Sequence, residues 1–151
     1  MLNLKKLMST FVKNSLYIIF FNKKYIKIQI SGKSMYPNFL EGETYILRKT
    51  KNINFFERFD PIIYFCKIHK KLHLKRLLAF SNEKIELRKG KLYINNSYID
   101  SHKFGSLSFN IVVTENSFFT FSDNFNTKGQ NCDSFSVGPI NVQLLEGNIL
   151  N

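Results

Sequence analysis

Ser34 and Lys75 are the residues whose type and setting suggest covalent chemistry. Ser34 lies in SGKSMYPNFLEGE, residues 31–43. Gly32 lets the backbone approach another group closely, and Pro37 fixes its own φ and biases Tyr36 toward extended geometry. A hydroxyl held in such a turn can aim at a carbonyl, and the backbone N–H groups around it can face the oxyanion that forms. Serine alone is a weak nucleophile and needs a base within hydrogen-bond reach. The histidines, His69, His73 and His102, have no obvious Asp partner in sequence. A Ser-His-Asp triad is therefore unsupported, although triads assemble in space. The alternative base is a lysine. In LHLKRLLAF (72–80) Lys75 stands among Leu72, Leu74, Leu77 and Leu78. Burial would penalise its ammonium. A free lysine titrates near about 10.4 and must lose roughly 2–4 units to act near neutral pH. By residue type alone Lys75 reads as a solvated strand lysine, and Lys67, Lys70 and Lys71 look similar.

Cys66 and Cys132 have no CxxC spacing and no nearby Cys/His partners, so no metal framework is visible. A disulfide between them needs a Cα separation of about 4.4–6.8 Å, which the sequence leaves open. His69 and His73 have His-x3-His spacing, but no glutamate completes a zinc-protease motif and the segment reads as strand. No metal and no organic cofactor is expected.

The elements that must hold these residues are strands. YIKIQI (25–30), TYILR (44–48), PIIYFCKI (61–68), LHLKRLLAF (72–80), KIELRK (84–89), KLYINN (91–96) and SFFTFS (117–122) carry strand patterning between turn signals. ELRKGKLYINN predicts a hairpin turning at Lys89-Gly90. Residues 97–115 are weakly patterned and read as a connecting loop. Many short strands imply a mainly β fold, a folded antiparallel sheet or barrel over residues 25–151. Residues 1–23 read as an amphipathic to hydrophobic helix. Lys13-Asn14 interrupts its apolar run, so it suits an interfacial or short anchor better than a full span. The alternative is a helix packed on the domain. Lys and Arg number 22 against 11 acids, a net charge of +11, and seven lysines precede the first acid, Glu41. That favours an anionic surface, lipid or nucleic acid, or reflects compositional drift.

Three blocks, IQISGKSMYPNFLEGETYIL, HLKRLLAFSNEKIELRKGKLYINN and FTFSDNFNTKGQNCDSFSVGPI, resemble in order the main blocks of type I signal peptidases, membrane-tethered serine endopeptidases with a β fold and a Ser-Lys dyad. SMYP resembles the family's Ser-Met-x-Pro nucleophile box, which implies Ser34 as nucleophile. Lys75-Arg76 resembles its Lys-Arg box, which implies Lys75 as general base. Ser122-Asp123-Asn124 resembles Gly-Asp-Asn, and Asn131-Cys132-Asp133-Ser134 falls on Ser-x-Asp-Ser. The resemblance thus implies supporting roles for Arg76, Asp123, Asn124, Asn131, Asp133 and Ser134, and Gly32, Ser34, Met35 and Pro37 as the oxyanion and substrate-positioning segment. There are departures. Asn131 replaces the serine that helps hold the lysine, and Phe135 replaces the arginine that pairs with the aspartate. Residues near 127–130 lengthen the loop.

The resemblance implies a membrane-associated peptidase with one N-terminal anchor, its catalytic domain on the exported side, and preprotein signal peptides and membrane lipid as partners. Nucleic acid is not expected, and the oligomeric state is open. Phe39, Phe55, Phe56 and Phe59 read as core, or as an apolar rim at the lipid surface. Three rival readings stand beside this: a maturation peptidase dedicated to one protein, like the nickel superoxide dismutase maturation proteases; a self-cleaving repressor-like domain; and a basic binding module without peptidase activity.

Overall fold

The computed structural model describes residues 24–100, 104, 107–125 and 131–150. The expected helix over 1–23 lies outside the described residues. Among the described residues the strands are β1 (Tyr25–Gln29), β2 (Thr44–Lys49), β3 (Pro61–Cys66), β4 (Lys71–Ala79), β5 (Lys84–Arg88), β6 (Lys91–Ile94), β7 (Ser97–Asp100), β8 (Phe109–Val112), β9 (Ser117–Phe121), β10 (Ile140–Asn141) and β11 (Leu145–Leu150), with a short α-helical turn, α1 (Ser134–Val137), and 3-10 turns at Ile53–Phe55 and Val142–Leu144. They form an antiparallel seven-stranded sheet, ordered β1-β2-β11-β3-β4-β9-β10, and a four-stranded one, ordered β7-β6-β5-β8. The mainly β expectation therefore holds.

All seven expected strands are present. β5 and β6 turn at Lys89-Gly90, where both residues have positive φ, 50° and 78°, as a two-residue hairpin matched to strand twist requires. The loop expected over 97–115 instead contains β7 and β8. β6 turns into β7 at Asn95-Asn96, also with positive φ, 50° and 68°. β11 had no expectation attached, yet it pairs with both β2 and β3. Its Gly147 sits at a register shift with φ +150°, and a Cβ there would lie 1.9 Å from the Arg48 carbonyl oxygen.

Three apolar clusters form the interior. Leu78, Ile85, Leu92, Phe119 and Phe121 belong to one that joins the small sheet to β4 and β9. A second contains Ile62, Tyr64, Leu77 and Phe118. The third gathers Met35, Phe39, Leu47, Ile63, Leu74 and Ile149, and so ties the turn around Ser34 to β2, β3, β4 and β11. Phe56 and Phe39 are core, whereas Phe55 is exposed and Phe59 borders exposure.

Candidate active site

Ser34 occupies the turn between β1 and β2. Backbone bonds from Tyr36 N–H to Lys33 O (3.2 Å) and from Phe39 N–H to Met35 O (3.0 Å) close that turn. Gly32 supplies its positive φ of 88°, and Tyr36–Pro37 is a cis bond. Met35, 2% exposed, plugs into the third cluster, so its neighbour Ser34 is held against β4. There Lys75 pairs across from Ile62, with His73 opposite Tyr64 and Lys71 opposite Cys66. Alternation along a strand puts all six side chains on one face. Lys75 is 1% exposed. Its Nζ lies 2.6 Å from Ser34 Oγ and donates to Leu74 O at 2.9 Å.

A polar clamp joins the serine turn to the lysine strand. Arg76 Nε and Nη2 donate to the Asp123 carboxylate at 3.0–3.2 Å, and Asn38 Nδ2 donates to the same carboxylate at 2.8 Å. The Arg76 guanidinium also sits over the Phe39 ring and donates to Phe59 O. Asn124 donates its N–H to Ser34 O at 2.9 Å and its Nδ2 to Lys33 O at 3.1 Å. Asp123 and Asn124 thus fix the turn that carries Ser34 and Arg76 at once.

The charge on Lys75 is unwelcome where it sits. Burial is the main cause that brings its pKa down from 10.5 to about 8. The Asp133 and Asp123 charges push the other way, and Lys71 adds to the fall. Burial, then the Lys75, His69 and Lys71 charges, bring His73 down to about 4, so its ring is neutral at physiological pH. Ser34 and Lys75 open into a groove of about 860 Å³. Ile28 and Gln29 at the end of β1, Ile30–Met35, Lys71–Lys75, His69 and Asn131 line it.

The family profile described as signal peptidase, peptidase S26, matches residues 4–150. The chain belongs to this signal peptidase family. Signal peptidase I V of Bacillus subtilis (strain 168) is 26% identical over 145 residues, 83% of this chain and 84% of that protein. Signal peptidase I of Bacillus amyloliquefaciens is 35% identical over 71 residues, 46% of this chain and 37% of that protein. A crystal structure of a signal peptidase I from Enterococcus faecalis V583 superposes with a TM-score of 0.51 at 22% identity. It covers 63% of this chain and 96% of that one, and supports the fold alone. As a member of the signal peptidase family, the chain is a serine endopeptidase, a hydrolase.

In this signal peptidase family member the altered last block has found other partners. Asp133, buried and without an arginine at 135, accepts from Ser122 Oγ and Ser136 Oγ. Phe135 joins a ring cluster with Phe104, Phe109, Phe119 and Phe125 at centroid distances of 5.1–6.1 Å. Ser134 Oγ accepts from Thr120 N–H at 2.8 Å, so it braces β9 and does not face the groove lining. Asn131 lines the groove and donates to Asn124 O at 3.4 Å. The Gly32 N–H donates to Glu41 Oε1 at 3.0 Å. Pro37 lies in the exposed part of the turn.

Two readings from sequence need correction. Lys75, an ordinary strand lysine by residue type, is buried. The cysteines, read as having no nearby Cys/His partners, have them: His69 and His73 follow Cys66 within eight residues and lie close to both sulfurs. Cys66 and Cys132 are joined, with Cα atoms 6.6 Å apart, and His69 and His73 converge on the same place. Cys66-x2-His69-x3-His73 is a local spacing on one hairpin, and a contact 66 residues long in sequence brings Cys132 to it.

Proposed function

We propose that the chain is a membrane-associated endopeptidase that removes signal peptides from exported preproteins with a Ser34–Lys75 dyad. The observation that carries this reading is the 2.6 Å approach of a buried amine to the Ser34 hydroxyl. With a pKa of about 8, about one Lys75 in eleven is neutral at pH 7, close to the range where a general base works best. Neutral Lys75 takes the Ser34 proton as Oγ attacks the scissile carbonyl. The tetrahedral oxyanion forms beside the backbone N–H of Ser34, which has no acceptor among the described residues and serves as the oxyanion donor. Lys75, now an ammonium, protonates the leaving amine. It then takes a proton from the water that hydrolyses the acyl-enzyme.

In this reading Arg76, Asp123 and Asn124 are positioning residues that hold the serine turn onto β4. The groove beside the β1 edge receives the substrate as an extended strand, and shallow side pockets select small residues one and three positions before the cut. Residues 1–23 hold the domain at the lipid surface, where such a substrate emerges. The family match leaves the repressor-like and binding-module readings without support.

The test is processing of a preprotein carrying a signal peptide, followed by mass, with wild type, Ser34→Ala and Lys75→Met. The reading expects one cut in the wild type and none in either variant. Cleavage that survives both substitutions contradicts the dyad. Flotation of the full chain with anionic vesicles tests the anchor, with loss expected when Lys5, Lys6 and Lys13 become Glu.

A further inference from the structure

Among the described residues, one group of metal-ligating side chains converges, next to the catalytic pair. Cys66 ends β3, His69 lies in the β3–β4 turn, His73 is on β4, and Cys132 comes from the segment before α1. One ligand atom from each lies within 4.8 Å of those from the other three. The Cys66–Cys132 bond accounts for the sulfurs. It does not account for the imidazoles, whose Nδ1 (His69) and Nε2 (His73) face each other at 3.2 Å.

We propose that Cys66, His69, His73 and Cys132 form a Cys2His2 zinc site when the two cysteines are reduced. A tetrahedral Zn²⁺, with bonds of about 2.05 Å to nitrogen and about 2.3 Å to sulfur, holds its nitrogens about 3.3 Å apart and its sulfurs about 3.8 Å apart. The imidazoles already stand at the first distance. The widest separation, nitrogen to sulfur, closes by at most about 1.3 Å to the roughly 3.5 Å of a tetrahedral site, and the sulfurs move apart once their bond is reduced. The β3–β4 hairpin puts three of the four ligands on one short scaffold: Cys66 and His73 share a face, and His69 reaches over from the turn. Two thiolates and two imidazoles are the mixed set that suits zinc, in preference to the all-oxygen sets of calcium or magnesium.

Charge favours the same ion set. Lys67, Lys70 and Lys71 crowd this hairpin, and nearby ammonium groups favour thiolates. Zn²⁺ with two thiolates is neutral, so the filled site adds no net positive charge there. The two forms interconvert by balanced steps. A dithiol reductant gives two electrons and two protons to the Cys66–Cys132 bond and becomes a disulfide itself. Zn²⁺ then displaces the two thiol protons. In either form Cys132 stays tied to the hairpin, and with it Asn131 on the groove wall and Asp133 behind Lys75. The site is structural, and this inference stands apart from the roles assigned to Ser34 and Lys75.

The test uses the full chain, reduced with a phosphine, stripped with a chelator and titrated with Co²⁺ as a probe. Expected is one Co²⁺ per chain with tetrahedral ligand-field absorption and a thiolate charge-transfer band, displaced by one Zn²⁺. His69→Ala and His73→Ala each weaken binding by at least about tenfold, Cys132→Ser removes much of the charge-transfer intensity, and Ser34→Ala changes nothing. His69 is an exposed turn residue, so its variant tests the site even where Cys132→Ser misfolds. The proposal is overturned by clearly substoichiometric uptake in the reduced chain, by an octahedral spectrum, or by full affinity in both histidine variants.

Discussion

Replacing Lys75 by Met should make the protein more stable at neutral pH while it abolishes activity. The folded pKa, about 8, lies below the ordinary 10.5. Below about pH 8 both the folded and the unfolded chain hold the proton, so folding bears the whole cost of burying the ammonium. Between about 8 and 10.5 only the unfolded chain keeps it, and stability rises with pH as the unfolded state binds more protons. A difference of 10.5 − 8, or 2.5 units, at about 1.4 kcal/mol each corresponds to about 3 kcal/mol at pH 7. At pH 10 less than about 1 kcal/mol of that cost remains. The methionine forfeits two hydrogen bonds, to Ser34 Oγ and Leu74 O, each worth about 1 kcal/mol, and this loss depends little on pH. The diagnostic quantity is thus the change with pH: the stability of Lys75→Met relative to wild type should fall by about 2 kcal/mol from pH 7 to pH 10. Urea denaturation of both proteins at the two pH values reads it. A difference that stays constant between them would refute the reasoning.

The same titration governs catalysis. The kcat/KM for a preprotein-derived peptide should rise about tenfold from pH 6 to 7 and level off above about 8, and a profile flat across that range would contradict it. Asp123→Asn breaks the ion pair to Arg76, whose Asp side chain is 1% exposed. It should cost about 3 kcal/mol in denaturant unfolding. Because the Asp123 charge holds the Lys75 pKa up, the acid limb of the activity profile should also move to lower pH. Gly147→Ala should destabilise the large sheet by at least about 3 kcal/mol, read as a drop in the unfolding midpoint, since its Cβ would lie 1.9 Å from Arg48 O.

What could be read from the sequence was what local pattern encodes. Alternating apolar residues marked seven strands, and Lys89-Gly90 marked the turn of a hairpin that the structure contains. Asn95-Asn96 follows KLYI, an expected strand, but SYID beyond it holds too few apolar residues to stand out. β11, LEGNIL, broke its own pattern at Gly147, which packs where a side chain cannot fit. The candidate site was legible only through motif resemblance. Nothing in KLHLKRLLAF separates Lys75 from Lys71, which shares its face of β4, because burial depends on which part of that face the serine turn covers. The arrival of Cys132 beside Cys66, His69 and His73 depends on a contact 66 residues long in the same way.

The most direct test is a titration of the Lys75 amine itself, followed by NMR of ε-carbon-labelled lysines, with its resonance assigned by its loss in Lys75→Met. A midpoint at about 8 is expected in the folded wild type. A midpoint near the ordinary 10.5 would mean that the amine beside Ser34 stays charged at working pH, and the dyad as described would not operate.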